Sequence, residues 1–236
     1  MIIFATFPRS GHHFIVNNLS KIDKNISYCE KYRCENQFGE SINCSGKKLP
    51  WFYRQICRSE KKIQKTHDFD LNEPLLKGTL RKEKIKYFSL IRHPVPAIIS
   101  RWKLIYKNSK KELNQQKKDI WINFFISQMK YYDGFLRKYI KPASHISKID
   151  DNIHKFATYE EITSIPDTLE ASLNFFLPKK MHSIVREKKT ELQNQIHLKS
   201  DHNKFELYDE NFCKEVIYKY DFSYIENYNI NEFIKF

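Results

Sequence analysis

The chain has 236 residues, enough for one domain with a full hydrophobic core and little room for a second. Hydrophobic residues make up 41% and charged residues 29%, which excludes a disordered chain, and only five glycines exclude Gly-rich linkers and collagen-like repeats. The formal net charge is +13 with no dedicated basic tail, only a modest cluster at Lys107–Lys111. Such an excess calls for an anionic partner: a nucleotide, a nucleic acid, an acidic glycan or a membrane surface.

In chain order, Ile2–Phe7 is an apolar run that ends at a turn and predicts a buried strand. Phe14, Ile15, Val16 and Leu19 follow at helical spacing. Residues 21–60 show no clean period and are expected to form an irregular insertion, with one short helix near Trp51–Cys57. Ile63–Thr66 and Ile85–Ile91 read as the next strands. Pro94 suits the first turn of a helix running through Ile98, Trp102 and Ile105. Lys118 to about Tyr139 is a long amphipathic helix, with Ile122, Phe125, Ile126, Met129, Tyr132 and Leu136 among its apolar positions. His154–Tyr159 is a fourth strand, and Pro166 opens a helix carrying Leu169, Leu173 and Phe176. Further helical patterns lie near Met181–Gln193 and Asp209–Tyr220. Strands alternating with helices predict a three-layer α/β domain with a central parallel sheet, spanning 1–236 as one unit.

No secretory signal is read at Met1–Phe7, which is short and runs at once into Pro8-Arg9, and no run reaches the roughly 18 apolar residues of a membrane span. A cytoplasmic protein is expected. Four of the five cysteines, Cys29, Cys34, Cys44 and Cys57, fall in the insertion, and Cys213 stands apart. Their spacing lacks the C-x2-C knuckle of structural zinc sites, and free thiols are expected.

Three groups of residues fall at strand ends, where a parallel sheet converges on its ligand crevice. Pro8-Arg9-Ser10-Gly11-His12-His13 joins the first strand to the first helix. A helix N-terminus exposes N–H groups toward an anion, Gly11 allows close approach, and Arg9 adds a fixed charge. The loop lacks the spacing of a Walker A motif. Lys65-Thr66-His67 ends the second long strand, putting a candidate proton acceptor, His67, beside a cation that can stabilise a leaving oxygen. Arg92-His93-Pro94 ends the third, with Ser100 eight residues after the arginine, and Arg with a hydroxyl suits a phosphate.

In this order the three groups resemble the sulfotransferases that use 3′-phosphoadenosine 5′-phosphosulfate (PAPS) as donor. The family's 5′-phosphosulfate loop reads Pro-Lys/Arg-Ser-Gly-Thr-Thr, its cytosolic members carry Lys-Thr-His-Leu-Pro, and its 3′-phosphate element is Arg-Asp/Asn-Pro with Ser eight residues after the Arg. A fourth likeness is Tyr159-Glu160-Glu161-Ile162, similar to the family's Tyr-Glu-Asp-Leu, followed by Pro166 and Phe176-Leu177. The resemblance covers about residues 2–178.

It implies a P-loop-type fold and in-line sulfuryl transfer to a hydroxyl or amine on a small molecule or glycan. It further implies that residues 10–13 hold the 5′-phosphosulfate, that Arg92 and Ser100 hold the 3′-phosphate, and that Phe14 and Tyr159 lie near the adenine. Arg9 and Lys65 would stabilise the leaving oxygen, with His67 as general base. No metal is called for, since fixed cations supply the charge.

The chain departs from the family in three places. His12-His13 replaces Thr-Thr, Asp68-Phe69 replaces Leu-Pro, and no C-terminal Arg-Lys-Gly segment is recognisable. Arg186, His197, Lys199 and Lys204 are candidates for that last role. A P-loop kinase or related NTPase would share the fold but needs a Walker lysine and a Mg²⁺-binding hydroxyl where His12-His13 stand. A nucleic-acid-binding module would account for the charge but not for the ordered motifs, and no zinc-finger, RRM or KH signature occurs. The sequence sets neither the acceptor nor an oligomeric state.

Overall fold

The structure is a computed structural model. It describes residues 2–29, 34–35, 41–42, 63–66, 86–106, 115–137, 154–194 and 205–225. The Trp51–Cys57 helix, Cys44, Cys57, His67 and the Lys107–Lys111 cluster lie outside the described residues, as do His197, Lys199 and Lys204.

The centre is a five-stranded sheet in which every pairing is parallel. Its strands are β1 (Ile2–Thr6), β2 (Tyr28–Cys29), β5 (Ile63–Thr66), β6 (Lys86–Ile91) and β7 (His154–Thr158), in the order β2-β5-β1-β6-β7. A separate two-stranded antiparallel ladder joins β3 (Cys34–Glu35) to β4 (Ser41–Ile42). Among the described residues the helices are α1 (His12–Ile22), α2 (Pro94–Tyr106), α3 (Gln115–Phe135), α4 (Tyr159–Ser164), α5 (Pro166–Phe176), α6 (His182–Asn194) and α7 (Glu210–Ile217).

A parallel sheet covered on both faces needs strands that are apolar throughout, and β1 has all five residues buried. Alternation then divides the core in two. Ile3, Ala5, Tyr87 and Ile91 pack on one face with α2, α3 and α7, through Trp102, Trp121, Phe125 and Val216 among others. Ile2, Phe4, Phe88 and Leu90 pack on the other with α1, α5 and α6, through Ile15, Leu19, Leu173 and Val185. This is the three-layer arrangement expected from the sequence.

Two expectations need correction. The 21–60 region is not wholly irregular: it supplies β2, which pairs with β5 through Tyr28↔Ile63 and Cys29↔Gln64, and it also holds the β3–β4 ladder. Strands of two residues are too short to show a period. Tyr159 does not end a strand but opens the short helix α4. That helix forms because Thr158 accepts from the Glu161 N–H (3.2 Å) while the Glu161 carboxylate accepts from the Thr158 N–H (3.1 Å), a reciprocal capping box.

One polar pair sits inside the sheet. Ser89 Oγ and His154 Nε2 are hydrogen-bonded at 3.0 Å, and Tyr87 stacks on the imidazole. Burial lowers the His154 pKa to about 4. Above about pH 6.5 the ring is neutral in both the folded and unfolded chain and adds nothing to pH dependence. Below that value the unfolded chain binds a proton that the folded chain refuses until about pH 4, so stability falls through this window. The loss attributable to His154 is on the order of 3 kcal/mol. Urea denaturation of wild type and His154→Gln between pH 7 and pH 4 should show the wild type losing that much more than the variant. A difference independent of pH would refute a neutral buried imidazole.

Candidate functional site

The connection after β1 leaves toward β2, while the chain after β6 leaves toward β7, on the other side. The C-terminal ends of β1 and β6 therefore flank the sheet's switch point, where ligands of open α/β sheets bind. The Arg9–His13 loop and the Arg92–Pro94 turn stand on either side of it.

The loop is held by backbone geometry that only some residues tolerate. Arg9 has φ 69° and Gly11 has φ 87°, the positive-φ positions among the described residues. Ser10 donates its N–H to the Phe7 carbonyl (3.1 Å), closing the turn, while its buried Oγ has no hydrogen-bond partner. Of the residues expected to present backbone N–H groups, Ser10 thus has its own engaged. The first turn of α1, at His12 and His13, contains no acidic residue and points its N–H groups at the crevice end. His12 is buried and His13 exposed, with ring centroids 4.0 Å apart.

Gly11 is required for a second reason. A Cβ built there would lie 2.1 Å from Tyr159 Cδ2 and 2.4 Å from Cε2. The Tyr159 ring therefore rests on the glycine. Its other neighbours are Phe14, edge-on at 6.4 Å, and the Arg92 guanidinium, 4.6 Å from the ring centroid. Tyr159 holds this place as the first residue of α4, directly after the Thr158 cap.

The loop and the β6–α2 element meet through side chains: Arg9 Nε donates to Ser100 Oγ at 3.0 Å. Arg92 is largely buried, and its Nε has no hydrogen-bond partner. Its backbone is anchored from the opposite face, where Tyr132 Oη donates to the Arg92 carbonyl (3.0 Å). Burial lowers the Arg92 pKa; Tyr159 and Glu160 oppose the shift, while the Arg9 charge adds to it. Two guanidiniums thus converge on one crevice with mutual repulsion.

Glu160 was quoted in the sequence motif without a role. Its Oε1 accepts from the His93 N–H (3.1 Å), tying α4 to the β6–α2 turn. Desolvation raises its pKa, against the pull of the His93 N–H and Arg92. An acid directly after a tyrosine is a weak signal in sequence, and only the packing reveals its bond.

Lys65 is buried near the end of β5, in register with Phe4 of the neighbouring β1. Gly11, Phe14 and Arg92 thus meet at Tyr159, Arg9 bonds Ser100 and acts on Arg92 through its charge, Ser10 lies in the same loop, and His12 and His13 open α1. Lys65 sits one strand away. Arg186, offered for the missing C-terminal segment, bonds Glu170 at 3.2 Å on the exposed side of α6.

The architecture is a P-loop-type α/β fold. The chain is similar to mouse sulfotransferase SULT7A1 complexed with PAP, at 14% identity over 99% of this chain and 87% of that one, with a TM-score of 0.50. It is also similar to a sulfotransferase from Alicyclobacillus acidocaldarius, at 11% identity over 94% and 97% of the two chains, with a TM-score of 0.37. No family model matches the chain, and no curated protein matches it. Among the described residues, no helix is long and apolar enough to cross a membrane, and no group of three or more His, Cys, Asp or Glu is placed to hold a metal ion.

Gly11→Ala meets both the positive φ and the Tyr159 ring, so it should destabilise the fold by about 2–5 kcal/mol, the sum of left-handed strain and overpacking. Gly134→Ala, in a helix with open space at the Cβ, should instead be neutral or stabilising by about 0.5–1 kcal/mol. Chemical denaturation of the two variants checks the contrast, and equal effects would show that Tyr159 does not rest on the loop.

Proposed function

We propose that the protein is a sulfotransferase that takes PAPS as donor and moves its sulfuryl group to a hydroxyl or amine acceptor. The observation that carries the reading is the convergence of Arg9, Arg92, Ser100 and Tyr159 at the switch point, with Arg9 hydrogen-bonded to Ser100. The donor chemistry fits an anion with several phosphate-like groups. Ser10 Oγ and Arg92 Nε are buried donors without partners, and both guanidiniums gain from a negative charge between them. We read the whole chain as one such domain.

In this reading the N–H groups at residues 11–13 and the Ser10 hydroxyl hold the 5′ end of the donor. Arg92 and Ser100 hold the 3′-phosphate, and Tyr159 with Phe14 borders the adenine. The acceptor oxygen or nitrogen attacks sulfur in line. Its bond to sulfur forms as the bond from sulfur to the 5′-phosphate oxygen breaks. Arg9 and Lys65 stabilise the charge on the departing oxygen, and the acceptor's proton passes to His67, so the products are the sulfated acceptor and 3′-phosphoadenosine 5′-phosphate, PAP. A P-loop kinase reading gains nothing from the site, where imidazoles follow Gly11 in place of a Walker lysine and hydroxyl.

Calorimetry should show PAP binding at least about tenfold more tightly than AMP, as expected for a charged hydrogen bond to the 3′-phosphate worth about 1.5–3 kcal/mol. Arg92→Ala should erase that preference, and equal affinity of wild type for PAP and AMP would remove the 3′-phosphate assignment.

His67→Ala should leave PAP affinity within about twofold while single-turnover transfer falls about 10²–10⁴-fold, since a general base acts mainly in the transition state. Wild-type transfer by that variant would place the base elsewhere.

A further inference from the structure

A second cation–aromatic pair adjoins Ser100 and the β1 end. Arg101 follows Ser100 on α2, and its guanidinium lies over the Tyr131 ring at 5.4 Å from the centroid. Tyr131 in turn packs on Phe7, the residue before the Pro8-Arg9 turn, at 5.4 Å between centroids. One Arg101 terminal nitrogen, Nη1, is buried without a hydrogen-bond partner.

The two pairs stand on opposite sides of the sheet. Tyr159, under Arg92, packs with the α1–α5–α6 layer, whereas Tyr131, under Arg101, packs with the α2–α3–α7 layer. Arg9 bonds Ser100, the residue before Arg101, and its charge acts on Arg92. In-line transfer needs the nucleophile opposite the leaving group. If the nucleotide lies against Arg92 and Tyr159, the Arg101 flank is, among the described residues, the side that remains for the acceptor. A buried donor without an acceptor costs about 1–3 kcal/mol, so an acceptor atom of the ligand stabilises the orphaned nitrogen, and a carboxylate also meets the guanidinium charge. Leu104 and Ile105, both exposed, share the Arg101 face of α2 at i+3 and i+4, so apolar surface adjoins the cation.

We propose, resting on the sulfotransferase reading, that Arg101 recognises a carboxylate on the acceptor, which is a hydroxylated acid with an apolar body. Arg101 is then a specificity-determining residue and takes no part in holding the nucleotide.

The test uses the full chain with PAPS and a matched pair of acceptors, 4-hydroxyphenylacetate and its methyl ester, in wild type, Arg101→Gln and Arg101→Lys. Wild type should favour the acid over the ester at least about tenfold in kcat/KM, as a charge-assisted bond to a carboxylate implies. Arg101→Gln should raise KM for the acid about tenfold with kcat nearly unchanged, the mark of lost uniform binding, and leave the ester unaffected. Arg101→Lys should restore part of the preference. PAP affinity, measured on the same samples, should be the same in all three and shows that the variants are folded. Equal use of acid and ester by wild type overturns the inference, as does transfer to neither by a protein that binds PAP, or a loss in Arg101→Gln common to both acceptors. Weakened PAP binding in Arg101→Gln would assign Arg101 to the nucleotide and overturn it too. Failure of wild type to bind PAP would instead remove the proposed function itself.

Discussion

The contact between Tyr159 and Gly11 sets the geometry of the whole sheet edge. The ring lies where any side chain at residue 11 would be, so the β1–α1 loop and the β7–α4 junction are fixed against each other by the absence of one carbon atom. The capping box at Thr158 and Glu161 sets where α4 begins and therefore where Tyr159 points. Arg92 then finds its aromatic platform ready, and Glu160, one residue on, draws in the His93 N–H. Three strand ends, β1, β6 and β7, are registered through one ring. A cation over an aromatic face is worth about 0.5–2 kcal/mol, small beside the core but enough to choose one arrangement of the turn over its neighbours.

That arrangement carries an electrostatic cost. Moving a guanidinium out of water costs several kcal/mol unless a counter-charge follows it, and Arg92 meets instead an aromatic face, a partly compensating Glu160 and the repulsion of Arg9. The core that bears this cost is dense. Phe4, Phe88 and Phe176 interlock on one side of the sheet, and Phe7 packs with Tyr132 and Phe135 on the other. Each fully buried aromatic contributes roughly 1.5–3 kcal/mol, so a few of them offset one strained cation. An anion at the crevice would relieve the strain and stabilise the folded state by mass action, coupling the fold to its ligand.

Much of this was legible in the sequence because it follows from local patterns. Ile2–Phe7 and Ile85–Ile91 are apolar runs ended by a turn and a proline, so the two strands flanking the switch point, and hence Arg9 and Arg92, could be placed without coordinates. What was not legible depends on single contacts or on pairing across the fold. β2 is two residues of a sheet edge, with no pattern to mark it. The His154–Ser89 pair looks like ordinary strand sequence until β6 and β7 are set side by side in register. Glu160 and Arg101 stood beside residues already singled out, yet their partners, the His93 N–H and the Tyr131 ring, lie 67 and 30 positions away.

The histidine pair at the start of α1 bears on how the proposed anion site is built without threonine hydroxyls. Two threonines would offer hydroxyls from the first turn of α1, and His12-His13 offer none. The helix N-terminus is unaffected by that exchange, because its N–H groups belong to the backbone. The buried Ser10 hydroxyl remains, and Arg9 is held toward the crevice by Ser100. His12 is buried, with its ring centroid 4.0 Å from that of His13. His13 is exposed at the N-terminal end of α1. With imidazoles where hydroxyls would stand, the anion site we propose rests on the backbone N–H groups of α1, the Ser10 hydroxyl and Arg9.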